Sequence, residues 1–136
     1  MSQLARGTFE VRLQPLPFEG ADVQWKLARM SIDKEIAGDL VATTKGQMIR
    51  ALTDTKGSAG YVAIERVTGT LNGKKGSFVL QHSGLMNRGG PTLSVVVVPD
   101  SGTDELVGLE GEFEIVIEGG KHSYEFNYRL PAGGTQ

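Results

Sequence analysis

Apolar and polar residues alternate in short runs along most of the chain, and no run keeps the three-to-four-residue spacing of a helix. TFEVRL (8–13) puts Phe9, Val11 and Leu13 on one face, the period of two that marks a half-buried strand. QPLPFEGAD follows and, with two prolines, a glycine and an acid, reads as a loop. WKLARMSIDKEI (25–36) alternates through Met30, Ile32 and Lys34 or Ile36, then breaks at Gly38-Asp39. DLVATTKGQMIRAL (39–52) is rich in Thr and Val, with Gly46 as a candidate bulge, and TDTKGSAG (53–60) is a loop. GYVAIERVTGTL and GSFVLQHSG then flank an Asn72-Gly73 turn signal. TLSVVVV (92–98) is the most apolar strand and stops at Pro99-Asp100-Ser101-Gly102. LVGLEGEFEIVIE (106–118) is long enough to bend at its glycines, and HSYEFNYRL (122–130) sets Tyr124, Phe126, Tyr128 and Leu130 on one face.

Eight strands separated by turn signals predict an all-β fold. A single closed eight-stranded antiparallel β-barrel is the expected form, because closure removes exposed edges; a two-sheet sandwich is the alternative. An eight-stranded barrel is either filled by side chains or holds one small ligand. One domain is expected over 1–136, ordered from about 5 to 131, with 132–136 as a flexible tail. The 19 glycines are spread along the chain, which suits turns, bulges and the bends of a curved sheet.

The hairpin carries two residues that do not suit a sheet core, Glu65 and His82. A two-residue turn sets Leu80 opposite Glu65 and His82 opposite Ala63, whereas a four-residue loop sets His82 opposite Glu65. With either, the two share a face. That face also carries Tyr61, Val67, Leu71, Phe78, Leu80 and Met86, while the other has Arg66, Thr68, Thr70, Ser77, Gln81 and Ser83. The Glu65/His82 face is therefore expected to point into the barrel. Val62, Ile64 and Val79 on the outer face then need cover, as from a partner subunit, so a homo-oligomer, a dimer first, is expected.

An ionised carboxylate in an apolar interior is costly unless paired, and an imidazole answers that need while tuning both groups for proton transfer. Two readings stay open. In one, Glu65 and His82 are a catalytic acid/base pair at a pocket wall, with Tyr61, Phe78, Leu80, Tyr124 and Tyr128 contacting a small hydrophobic ligand. In the other, the pair is a satisfied buried contact that fixes strand register, and Tyr124 and Tyr128 are packing groups with satisfied hydroxyls. Trp25 lines a barrel mouth or plugs the core, and His122 reads as a solvated residue at a turn exit.

Composition narrows the chemistry. With 136 residues, 39% hydrophobic and 22% charged, the chain is an ordinary globular domain. A net charge of −2 with scattered Lys and Arg argues against nucleic-acid or membrane surfaces. No cysteine is present and only two histidines, which removes thiolate chemistry and makes no metal site expected. The acids of VPDSGTDE lack the spacing of a calcium loop, and no GxG glycine opens a helix as a nucleotide fingerprint does. No cofactor is expected. Neither a signal-peptide core nor a membrane-length apolar run appears, so a cytoplasmic location is expected. Trp25 lacks a glycine two positions before it, unlike the Gly-x-Trp motif of lipocalins.

GSAGYVAIERVTGTLNGKKGSFVLQHSG, LSVVVVPDSGTDELVGLEGEFEI, GKHSYEFNYRLP and RMSIDKEIAGDLVATTKGQM resemble an uncharacterised bacterial family, domain of unknown function 3224, over about residues 5 to 131. That family is similar in fold to the allene oxide cyclase barrel shared with dirigent proteins, so the resemblance implies an eight-stranded antiparallel barrel. It brings no activity of its own. Allene oxide cyclase and dirigent proteins steer cyclisation or coupling of apolar intermediates by shape, and none of their site motifs maps residue by residue here. The function expected is a barrel that binds a small hydrophobic molecule, with cofactor-free isomerisation or cyclisation by the Glu65/His82 pair. The alternative is a non-catalytic structural or interaction barrel that forms a homo-oligomer.

Overall fold

Eight antiparallel strands close on themselves in the computed structural model, which describes residues 2–18 and 26–131. They are β1 (Ser2–Leu16), β2 (Leu27–Gly38), β3 (Leu40–Leu52), β4 (Ala59–Leu71), β5 (Lys74–Asn87), β6 (Gly90–Val97), β7 (Glu110–Glu118) and β8 (Lys121–Arg129). Each pairs with its neighbours in chain order, and β1 meets β8 from Ser2↔Arg129 to Thr8↔Ser123 to complete the barrel. Trp25 and residues 132–136 lie outside the described residues. Among those described, no helix is long and apolar enough to cross a membrane.

Local chemistry fixes the hairpins. Asn72-Gly73 (φ 47° and 86°), Arg88-Gly89 (50° and 91°) and Gly119-Gly120 (58° and 79°) are two-residue turns with both φ positive, whose twist matches that of the flanking strands. The first sets Leu71 against Lys74, hence Glu65 opposite Leu80 and His82 opposite Ala63. The two-residue option for this hairpin is the one realised.

Three sequence expectations change. The strand expected over 106–118 begins only at Glu110: Asp104–Leu106 form a turn of 3-10 helix and Gly108 has φ +84°. This irregular stretch lets Leu106 and Leu109, three residues apart, both reach the core, where each is 1% exposed. β1 is longer than 8–13 and runs through Pro15 to Leu16. Beyond Thr8 it has no ladder to β8, and such an unpaired edge tolerates proline. Gly46 is no bulge, since its register is continuous on both sides, Ile32↔Gly46↔Glu65.

Among the described residues, the barrel is packed at one end and open at the other. At the end with the β2–β3, β4–β5 and β6–β7 connections, Leu40, Leu71, Leu106 and Leu109 close the interior over stacked aromatics. Phe126 lies 5.7 Å from Phe78, 5.5 Å from Phe113 and 5.3 Å from Tyr128, centroid to centroid. Toward the opposite end, residues that continue the inward-facing rows stay uncovered: Leu13, Met86 and Leu93 are 40 to 45% exposed and Ile117 62%. The seam between β6 and β7 explains part of this. Val96↔Glu112 is their one registered pair; extending it would set Leu93 opposite Ile115 and Pro91 opposite Ile117, and those pairs do not form. The strands part toward the open end, leaving an apolar mouth.

Candidate functional site

Four side chains from three strands meet where the packed core gives way to the mouth. Glu65 on β4 is fully buried and His82 on β5 is 4% exposed. His82 Nε2 lies 2.6 Å from Glu65 Oε1, and Lys34 Nζ on β2 donates to the same oxygen at 2.9 Å. Lys34 is itself 7% exposed and sits 4.9 Å over the Phe9 ring, a placement that favours a cation. On the far side of the imidazole, Nδ1 is 3.4 Å from the Tyr61 hydroxyl. Tyr61 is only half-buried and is the member of the group that lines the mouth.

Glycines make the room. Gly46 faces Glu65 across β3 and β4, and a Cβ on it would stand 2.5 Å from that of Glu65 and closer still to the Ile64 carbonyl oxygen. Gly84 faces Tyr61 across β4 and β5, and a Cβ there would stand 2.9 Å from Tyr61 Cδ1. Larger residues would displace the carboxylate and the phenol respectively.

The electrostatics assign roles. Burial pushes the Glu65 carboxyl up, but the His82 hydrogen bond and the charge of Lys34 outweigh it and hold the group at about 2. Glu65 is thus a carboxylate at any physiological pH. Being acceptor-only, it takes its hydrogen bond from His82 Nε2–H, and Nδ1 on the other side of the ring faces the Tyr61 hydroxyl. Burial, with the charge of Glu65 added, raises the Tyr61 phenol above its usual value, so it stays protonated as a donor. Glu65 Oε2 and Thr44 Oγ1 are buried without a hydrogen-bond partner among the described residues.

The mouth holds a cavity of about 270 Å³ between β3, β4, β5 and β6, lined by Met48, Arg50, Tyr61, Met86, Pro91 and Leu93 among others. Among the described residues, its walls are apolar apart from the Tyr61 hydroxyl, Thr92 and Arg50. A larger groove of about 740 Å³ lies on the outer wall over Gln47, Ile49, Val62, Ile64, Val79 and Gln81. Gly46, Ala63 and His82 also border it, although by strand alternation their side-chain positions face the interior.

The structure brings Glu65, His82 and Tyr61 together on one face, and leaves the other expected contacts, Leu80 beside Glu65 included, outside the cavity. Phe78 and Leu80 are each 1% exposed within the packed core. Tyr124 donates to the Ala37 carbonyl oxygen at 2.8 Å and accepts from Leu40 N at 3.1 Å. Tyr128 accepts from Asn72 Nδ2 at 2.6 Å and donates to Gln3 Oε1 at 3.1 Å. Both tyrosines are packing groups with satisfied hydroxyls, at the closed end, so none of these four reaches the cavity. His122 is half-buried and packs on Phe9 at 5.3 Å instead of standing in solvent. Lys34 and Arg50 were not among the expected site residues. Lys34 shares the inward row with Met30, Ile32 and Ile36, and Arg50 that with Ala42, Thr44 and Met48; this parity was the signal available.

No curated protein matches the chain. A crystal structure of a protein of unknown function from Shewanella oneidensis MR-1 is similar at 45% identity and a TM-score of 0.92, covering 96% of this chain and 99% of that one. That protein is described as a member of the DUF3224 family. The model of the same family, described as protein of unknown function (DUF3224), matches residues 5–128. Through nearly all of its barrel, therefore, the chain belongs to the DUF3224 family.

Proposed function

We propose that this barrel binds a small hydrophobic molecule in its open mouth and moves one proton on it through Tyr61 and His82, a cofactor-free isomerisation or cyclisation. The observation that carries the reading is the unbroken chain from cavity to buried charge: Tyr61, His82, Glu65, Lys34. Because Glu65 is held ionised, it exchanges no proton near neutrality; it orients the ring and stabilises it when charged, and Lys34 keeps the carboxylate in place. His82 Nδ1 is the site that gains and returns the proton, with the Tyr61 hydroxyl between it and the ligand. Isomerisation and cyclisation conserve all atoms, so a proton taken from one position and returned at another completes the reaction.

Binding is tested by fluorescence titration with N-phenyl-1-naphthylamine, an uncharged apolar probe. Saturable binding of one molecule per chain is expected, weakened about tenfold or more by Leu93→Glu at the exposed rim. Absence of saturable binding overturns the reading. Proton transfer is tested with 1-indanone in D2O. Wild type should speed exchange of the α-protons, and Tyr61→Phe or His82→Gln should remove most of that gain, which for general acid–base catalysis amounts to about 10²- to 10⁴-fold. Binding without exchange leaves a binding protein and removes the catalytic half.

A second reading, a homo-oligomeric interaction barrel, is favoured by the outer wall. Val62 and Ile64 are 54% and 51% exposed and lie in the 740 Å³ groove with Gln47 and Gln81, flanked by Arg66 and by Lys45, which Asp33 neutralises. Side-chain amides both donate and accept, so such a face can pair with its own copy.

A further inference from the structure

From Arg50 we infer that the ligand of the mouth is an amphipathic monoanion, an apolar body bearing one compact anionic head such as a carboxylate. This rests on the reading of the mouth as the binding site. Arg50 stands on the inward-facing row of β3, in register with Tyr61 on β4 and Ala28 on β2, and lines the same cavity as Tyr61. Its Nε is buried and donates to nothing among the described residues. Arg6 pairs with Glu125 at 3.4 Å, Arg29 with the Pro17 carbonyl oxygen at 2.7 and 3.0 Å, and Arg129 with Glu112 at 3.0 Å; Arg66 and Arg88 have no side-chain partner among the described residues, but only in Arg50 is the unpartnered guanidinium nitrogen buried. Arg50 has no carboxylate within ion-pair distance among the described residues, and its neighbours in the cavity wall, Met48, Leu52, Ala59 and Met86, bring no negative charge.

The buried carboxylate beneath does not serve as its counter-charge. Glu65 is already neutralised by Lys34 at 2.9 Å, so the Lys34/Glu65 pair is formally neutral and the charge of Arg50 is left over. A guanidinium presents a planar fork of N–H donors that suits a carboxylate or a similar oxyanion. An apolar pocket with one such donor set orients a ligand head-first onto Arg50, with its body along Met48, Met86 and Leu93. The head then lies beside Tyr61, and the part of the ligand nearest the hydroxyl is its first few carbons.

Two probes of similar body separate charge from shape: 1-anilinonaphthalene-8-sulfonate, which carries one anionic head, and N-phenyl-1-naphthylamine, which carries none. Arg50→Gln should weaken the sulfonate about tenfold or more and leave the uncharged probe within about twofold. Sulfonate binding unchanged by Arg50→Gln, or both probes weakened alike, overturns the assignment. If wild type binds neither, the mouth is not a ligand site and the assignment falls with that reading; if it binds only the uncharged probe, the mouth stands and the anion does not. Should Arg50→Gln fail to fold, the wild-type salt dependence decides. Sulfonate affinity should fall from low salt to about 0.5 M while the neutral probe's does not, and a flat response overturns the inference.

Discussion

Held between Lys34 and His82, Glu65 stays ionised where an ordinary carboxyl would take up a proton, and the consequence is measurable as stability. In the unfolded chain the group titrates near 4.5, in the barrel near 2. Between those values the unfolded state binds more protons, so this contribution is full above about pH 4.5 and is lost as the pH falls toward 2. A shift of that size corresponds to about 3 kcal/mol. Glu65→Gln leaves Lys34 buried without its counter-charge and should cost about 3–5 kcal/mol near neutral pH. Denaturant unfolding of wild type and Glu65→Gln should show that gap narrowing from about pH 6 to about pH 3; a constant gap contradicts the assignment. Lys34→Met should cost a similar amount, about 3–5 kcal/mol. Lys34→Met with Glu65→Leu should recover much of it, because an apolar replacement of a buried ion pair is often neutral. Tyr61→Phe, which removes a single long contact at a half-buried position, should change stability by less than about 1 kcal/mol.

At the scale of strands, the site depends on which residues face which. The Asn72-Gly73 turn sets the register that puts Glu65 and His82 on one face, and Gly46 and Gly84 leave the volume they and Tyr61 occupy. Gly46→Ala drives a methyl into the Ile64 carbonyl and the Glu65 Cβ. It should destabilise by about 1–3 kcal/mol, as overpacking does, read as a drop in the urea midpoint. Gly84→Ala meets a ring edge that can swing toward the cavity. It should weaken N-phenyl-1-naphthylamine binding more than it lowers the midpoint; the opposite ranking contradicts the position of Tyr61. Much of this level was legible in the sequence. Period-two alternation gave the strands, and Asn-Gly gave the turn. Lys34 and Arg50 escaped because a long cation in an alternating strand is normally solvated, and only three-dimensional closure shows that their rows stay inward. The late start of β7 escaped for a related reason: Leu106 and Leu109 look like strand residues, but their spacing of three serves a plug.

For the whole molecule, the division into a packed end and an open mouth organises everything else. It follows from where each strand begins and from the parting of β6 and β7, neither of which alternation encodes; hence Phe78, Leu80, Tyr124 and Tyr128 looked like ligand contacts although they fill the closed end. The outer wall supplies the competing account. If Val62 and Ile64 are covered by a second copy, Ile64→Lys should convert a dimer to a monomer in sedimentation velocity without lowering the monomer's own unfolding midpoint. A wild type that sediments as a monomer at high concentration removes that account.

The most direct test of the central claim is a crystal structure of the wild-type protein grown with N-phenyl-1-naphthylamine. The probe is expected in the mouth, between Met48, Met86 and Leu93, with its edge against the Tyr61 hydroxyl and the His82–Glu65–Lys34 chain intact below. Probe seated only in the outer groove over Val62 and Ile64, or a mouth closed by its own side chains with no room for it, would contradict the account and place the working surface of the barrel on its outside.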